Sequence, residues 1–436
     1  MLSVLKNRAY RHLFTAQVIA LVGTGLMTVA LGLLAYDLAG ANAGAVLGTA
    51  LAIKMLAYVG VAPVAQAFAD RLPRRSLLVA LDLVRASVAL CLPFVSEVWQ
   101  IYLLIFVLQA ASAGFTPTFQ ATIPDILPDE DEYTKALSLS RLAYDLESLI
   151  SPMLAAALLT VISFHNLFAG TVLGFLVSAA LVVSVRLPTI VPGPGRGIWD
   201  RTTRGMRIYL VTPRLRGLLA ISLAVAAAGS MVIVNTVVIV KTRFGLGESE
   251  VAWALAAFGG GSMVAAFALP RLLDKIADRP VMIAGATMLV VGMAAGAMIP
   301  TYAVLVVIWL MVGFGYSVAQ TPSGRLLRRS AHPEDRPAVF AAQFALSHAC
   351  WLICYPLAGR FGAAFGLQST FIIMSLIGLV GVGLALVLWP VSDSSDITHD
   401  HPDLPSDHPH LREHADRGEH RHPFIVDDLH RDWTRV

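Results

Sequence analysis

The sequence predicts an all-α integral membrane protein: twelve transmembrane helices in two pseudo-symmetric six-helix bundles. Three observations predict it. The 436 residues are 56% hydrophobic and 14% charged, with a mean hydropathy of +0.70, whereas a soluble domain carries about a quarter charged residues. The apolar residues fall in twelve runs long enough to cross a bilayer. The second half of the chain also repeats features of the first at an offset of 204 residues.

The runs lie at 12–37, 43–67, 76–95, 98–119, 134–160, 166–186, 215–240, 250–270, 281–299, 301–322, 337–359 and 367–390. The first follows a short basic segment, exceeds the apolar core of a signal peptide and lacks a small-residue cleavage site, so it reads as a span. Lys and Arg alternate between loops. Twenty-six lie on one side, among them Lys6, Arg8 and Arg11 at the start and seven between Arg186 and Arg216; the other side holds Lys241, Arg243 and Arg360. The positive-inside rule then places both termini in the cytoplasm, beneath a plasma (inner) membrane. Cys91, Cys350 and Cys354 fall inside spans, so no disulfide framework is expected. There is no G-x-x-x-x-G-K-[ST] phosphate loop. Neither an enzyme nor a resident cofactor is expected, and the expected partners are lipid, protons and a small cationic substrate, not nucleic acid. The expected state is a monomer.

The repeat sets the domains. "FADRLPRR" (68–75) joins spans two and three, and "LLDKIADR" (272–279) joins spans eight and nine. The offset maps Asp70 onto Asp274, Tyr144 onto His348 and Pro152 onto Pro356. Residues 1–186 form one bundle and 215–390 the other. Between them, 187–214 is a cytoplasmic linker, Pro/Gly-rich and then basic, with an amphipathic stretch for the membrane surface. Residues 391–436 are polar, acidic and His-rich without apolar periodicity, and are expected to be disordered.

With these features the chain resembles the major facilitator superfamily over about residues 1–390. Ala69, Asp70, Arg71, Arg74 and Arg75 match that family's loop signature, while Gln66 and Pro73 stand where it has glycine and Phe68 where it has leucine. The resemblance implies the major facilitator fold and a gating role for Asp70, Arg71, Arg74 and Arg75. Arg74 and Arg75 read rather as topology-setting charges; Asp70, acidic in a basic loop, reads as a latch. A narrower resemblance rests on "ALAIKMLAYVGVAP", "AAQFALSHACWLICYPLAG" and the tail. They are similar to a nickel-resistance exporter branch, carriers of the drug-efflux type with His-rich cytoplasmic ends.

Span five carries the intramembrane charges. On a helical projection of 138–152, Ser140, Arg141, Asp145, Glu147, Ser148 and Ser151 share an arc of about 160°. Such a face must look into protein or a wet cavity. Arg141 and Asp145, four apart, can pair, which leaves Glu147 as the freer carboxylate and the candidate proton carrier. Its ordinary reading is a residue reaching to water at the end of the span. In span eleven Gln343, Ser347, Cys350 and Cys354 form a stripe with His348 beside it. Imidazole and thiolate suit transition metals, but a lone His is usually a hydrogen-bonded structural residue and the cysteines usually pack helices.

The resemblance implies that spans one, four, seven and ten line the transport path. Their polar residues are Gln17, Thr24 and Thr28, then Gln109, Ser112, Thr116 and Gln120, then Asn235, then Trp309, Tyr316 and Gln320. Each alone reads equally as an interhelical hydrogen bond. Lys54 of span two is a further transport candidate, either balancing an acid such as Asp37 or Asp145 or reaching to water.

The tail holds three H-x-H pairs, His399/His401, His408/His410 and His420/His422, with His414 and His430 besides. In an extended chain i and i+2 point the same way, so each pair can chelate one ion. The ordinary reading is a solvated low-complexity end.

Together, tail and narrower resemblance give proton-coupled efflux of a divalent transition metal, nickel or cobalt, by alternating access, with the ion as substrate. The alternative is a proton-coupled multidrug or organic-cation antiporter whose tail is incidental. A third reading is a metal sensor that has lost transport.

Overall fold

The computed structural model describes residues 2–69, 73–187, 198–273, 275–332, 335–391, 396–398, 415–416, 419–423, 425–426 and 430. Thirteen α-helices occupy almost all of them: α1 (Arg8–Ala39), α2 (Ala43–Ala69), α3 (Arg74–Cys91), α4 (Val98–Ile126), α5 (Glu130–Leu159), α6 (Phe164–Val183), α7 (Ile198–Val211), α8 (Pro213–Val238), α9 (Glu248–Leu273), α10 (Asp278–Gly296), α11 (Tyr302–Gln320), α12 (Ser323–Arg329) and α13 (Arg336–Leu388). In lipid a helix closes its own backbone hydrogen bonds, which is why the apolar runs take this form. Polar caps mark several starts. Asn7 accepts from the N–H groups of Ala9 and Tyr10, and Asp129 from Glu132. Glu97 and Gln100 form a reciprocal capping box.

Among the described residues, nine stretches are long and apolar enough to cross a membrane. Two of them, Arg8–Gly60 and Ala338–Leu388, have 53 and 51 residues. At about 1.5 Å per residue each is long enough to cross a hydrocarbon core of about 30 Å twice. The first turns at Gly40 (φ 53°), and the second at Gly366, inside α13. Gly366 has φ 79° and ψ 162°, a region essentially reserved for glycine. α5, with 30 residues, is long enough to span as well. The spans are therefore α1–α6, α8–α11 and the two parts of α13, twelve in all, with α7 as the linker helix.

In the first half α1 packs on α6, α2 on α4, and α3 on both α4 and α6. In the second, α8 packs on α13, α9 on α11, and α10 on both α11 and α13. The halves meet through α2 against α13 and α5 against α9. The first seam is lined by glycine. A Cβ on Gly359 would sit 2.1 Å from the carbonyl oxygen of Gly44, and one on Gly48 2.4 Å from that of Tyr355. Asn235 of α8 donates to the Ala358 carbonyl at 2.9 Å within the second half, and its Oδ1 lies against Gly44 of the first. The second seam is lined by Ala156, Ala252 and Ala256. Small residues let backbones approach in lipid, where no hydrophobic force draws helices together. Both seams lie at the end of the bundles away from the termini.

α7 docks on the start of α13. Tyr209 donates to Gln343, Arg204 Nη2 donates to Asp335 Oδ2 at 2.9 Å, and Gly205 lies against the Ala338 backbone. The Tyr209 phenol is fully buried, and burial, then the nearby Cys350, pushes its pKa up.

The tail is described in part. Its described residues include β1 (Asp396–Thr398), β2 (Ala415–Asp416) and β3 (Glu419–Pro423), paired antiparallel in the order β1-β3-β2. Strand pairing satisfies backbone groups without any apolar periodicity, the signal the sequence lacks. Val426 is fully buried in the main apolar core, and His430 is buried as well.

Candidate functional site

Lys54 lies 11 residues into α2, about 17 Å along the helix and so near mid-membrane. Glu147 lies 12 residues before the end of α5, at about 18 Å. The two side chains are half-buried and within electrostatic reach of each other. Among the described side chains Glu147, not Asp37, is the acid within reach of Lys54; that of Asp145 lies outside them. Asp37 is exposed near the end of α1, at the bundle end away from the termini. Hydropathy says how deep a residue sits but not which helix it faces, so the sequence could not choose. No oxygen of Glu147 comes within 4 Å of the Lys54 ammonium, and among the described residues that ammonium has no hydrogen bond. A charge at the membrane centre costs about 2.5–3.5 kcal/mol on insertion scales, so this arrangement is held against a penalty.

The carboxylate is placed by α1. A Cβ on Gly25 would lie 2.7 Å from Glu147 Oε1 and 2.1 Å from the Ser151 side chain. Glycine at 25 is the notch that lets this polar face of α5 lie on α1. One turn from Lys54, Tyr58 meets α13: its ring is 6.0 Å from that of His348 and 6.1 Å from that of Phe344. His348 stacks on Phe344 at 3.8 Å, its Nδ1 lies 2.7 Å from the Phe344 carbonyl, and it senses the charge of Lys54. Lys54, Glu147 and His348 therefore converge from three helices and from both halves. Cys350 and Cys354 are buried, and no group of three or more His, Cys, Asp or Glu side chains among the described residues could hold a metal ion.

The side chains of Arg141 and Asp145 lie outside the described residues, as do Asp70, Arg71 and the side chain of Gln120. Arg74 bridges to Asp125 at the end of α4. The second half reverses the signs: Asp278, 204 positions on, accepts from Arg325 Nε at 3.0 Å. Arg75 donates to the Val183 carbonyl at the end of α6. Among the expected path residues, Thr24, Thr116, Tyr316 and Gln320 are half-buried. Gln17, Gln109 and Asn235 are instead buried, with 4, 4 and 1% exposure. Gln17 accepts from Ser140 and so ties α1 to α5, while Asn235 belongs to the cross-half seam. Gln17 and Asn235 thus make contacts between helices, as does Trp309, which donates to Thr236 at 2.8 Å. His399, His401, His408, His410 and His414 lie outside the described residues. His420 and His422 lie on β3, opposite Ala415 and Ile397, with their side chains outside the description.

The sequence reading missed an ion pair inside α3. Asp82 and Arg85 pair while fully or nearly buried, Ser178 of α6 donates to Asp82 at 2.7 Å, and Arg85 lies over the rings of Phe115 and Phe175 at 4.1 and 4.6 Å. The i, i+3 spacing of opposite charges in a span was the available signal.

The sequence profile of the Major Facilitator Superfamily matches residues 13–215 and 218–403. The chain belongs to the major facilitator superfamily. Relatives within it include macrolide efflux protein A of Streptococcus pyogenes, 25% identical over 41% of this chain, and the multidrug efflux pump Tap of Mycolicibacterium fortuitum, 24% identical over 77%. The match spans 44% of the macrolide efflux protein and 88% of Tap. Among solved structures, a bacterial homologue of the human lysosomal transporter Spinster superposes with a TM-score of 0.69 over 87% of this chain and 96% of its own, at 12% identity. As a superfamily member the chain is a multi-pass membrane protein, with efflux proteins among its relatives.

Proposed function

We propose that the protein is a proton-coupled efflux antiporter for small amphiphilic organic cations. The observation that carries this reading is the facing pair of Lys54 and Glu147 at mid-membrane, within reach of each other but not in contact. Glu147 binds a proton or a cation, but not both at full strength, and that competition is the coupling. His348 borders the same region, and Arg141 and Asp145 share α5 with Glu147. The rings of Tyr58, Phe344 and His348 offer π-faces to an organic cation. Two relatives are named for macrolide and multidrug efflux, which supports this substrate class.

The face bearing the termini is cytoplasmic in this reading, as the loop charges require, in a plasma membrane. The glycine and alanine seams then close the outer end, and the substrate enters from the cytoplasm. The transport unit is a single chain.

A second reading keeps the divalent transition metal, nickel or cobalt, as cargo, and the three H-x-H pairs of the tail favour it. Proteoliposomes with an imposed pH gradient distinguish the two. Gradient-driven flux of tetraphenylphosphonium, lost in Glu147→Gln, supports the first reading. Flux of Ni²⁺ or Co²⁺ without tetraphenylphosphonium flux replaces it with the second.

A further inference from the structure

We propose that Lys54 is a tethered stand-in for the transported cation and sets the affinity of the site for positive charge. The inference rests on the reading of Glu147 as the acid that binds the cargo. Three observations carry it. Lys54 faces Glu147 without an ion pair inside 4 Å, although an ammonium in a membrane normally pairs closely. The carboxylate lies on the α1 side, with Oε1 beside Gly25, while Lys54 comes from α2. One turn from Lys54, Tyr58 meets the stacked rings of Phe344 and His348 in the other half.

A guest cation that reaches Glu147 gains its attraction and that of the aromatic faces, and meets the repulsion of Lys54. Lys54 therefore competes with every guest for the same carboxylate, and it returns to Glu147 when the guest leaves. It keeps the resting site electrically balanced and its affinity low enough for release, as transport requires. Weakly interacting cations lose the competition; those that also fill the aromatic corner win it. Lys54 is in this sense a specificity-determining residue that need not touch the cargo.

The test is equilibrium binding of tetraphenylphosphonium to the purified full chain in detergent micelles, by calorimetry at pH 8.5, where protons compete least for Glu147. Lys54→Gln is expected to bind about tenfold more tightly than the unaltered protein, and Lys54→Arg to match it. The gain is expected to vanish in the double variant Lys54→Gln/Glu147→Gln. Lys54→Met, which keeps the chain volume, serves if the Gln variant does not remain monodisperse. Binding by the unaltered protein with no gain in Lys54→Gln or Lys54→Met, or a gain that survives loss of Glu147, overturns the proposal and leaves the cation reading standing. Absence of binding in every variant removes the cation reading itself, and this proposal with it.

Discussion

Arg75 and Arg279 stand 204 positions apart and perform the same task. Arg75 donates to the Val183 carbonyl at the end of α6, and Arg279 donates to the carbonyls of Trp389 at 2.8 Å and Leu386 at 3.3 Å at the end of α13. Each closes the last helix of its half just where the chain leaves for the linker or the tail. The exposed carbonyls of a helix C-terminus carry partial negative charge, which a guanidinium satisfies in charge and in geometry.

Arg279→Gln should therefore destabilise the second half. A hydrogen bond to a charged group contributes about 1.5–3 kcal/mol, so the loss should fall in that range. Thermal unfolding in detergent would show it as a lowered midpoint. Arg279→Lys should recover only part of the loss, because an ammonium lacks the fork that reaches two carbonyls. A Gln variant as stable as the parent would show the caps to be incidental.

The glycine seam makes a conformational prediction. Gly359→Leu places side-chain atoms where the Gly44 carbonyl lies, since even a Cβ would come within 2.1 Å of it. The halves must part at that end. Spin labels on the loops after α1 and α13's first part should move apart by several ångströms, on the scale of a side chain, and gradient-driven transport should fall. Unchanged label distances would mean that the seam can slide rather than open.

Inside α3 the partners are worth more together than apart. Removing one member of a buried ion pair costs about 3–5 kcal/mol, whereas replacing both with apolar residues is often neutral. Asp82→Leu should accordingly be much less stable than Asp82→Leu/Arg85→Met, by chemical denaturation or by yield of monodisperse protein. Equal losses in the two variants would contradict the account of Asp82 and Arg85 as a closed electrostatic unit.

The linker helix should respond to alkali. Burial raises the Tyr209 phenol above its ordinary value of 10.0. The folded state therefore keeps a proton that the unfolded state releases as pH passes 10.0, so stability is full below that value and falls as pH rises above it. Tyr209→Phe should flatten this part of the profile while weakening α7 docking through the orphaned Gln343. Proteolysis of the linker as a function of pH would measure it. A parent profile already flat between pH 9.5 and 11 would rule the phenol out.

The fold was legible because hydropathy is a local property. Each span announces itself by its own residues, and the turn within α13 by the polar break around Gly366. The candidate site was legible in part: Glu147, Lys54 and His348 stand out as ionisable groups in apolar runs, where each carries a cost. Asp82 and Arg85 carried the same signal. Gln17 and Asn235 show why such residues are ambiguous in sequence, because a polar residue inside a span serves a neighbouring helix as readily as a cavity.

From its own residues the chain determined how many times it crosses the membrane, where it repeats, and which of its spans bear charge, since all three follow from the free energy of moving side chains between water and hydrocarbon. Only the tertiary structure decided that Lys54 looks at Glu147, that Gly25 makes room for that carboxylate, and that Asn235 lies at a seam. Rotation of a helix about its axis, and the choice of its neighbours, depend on packing between segments far apart in the chain.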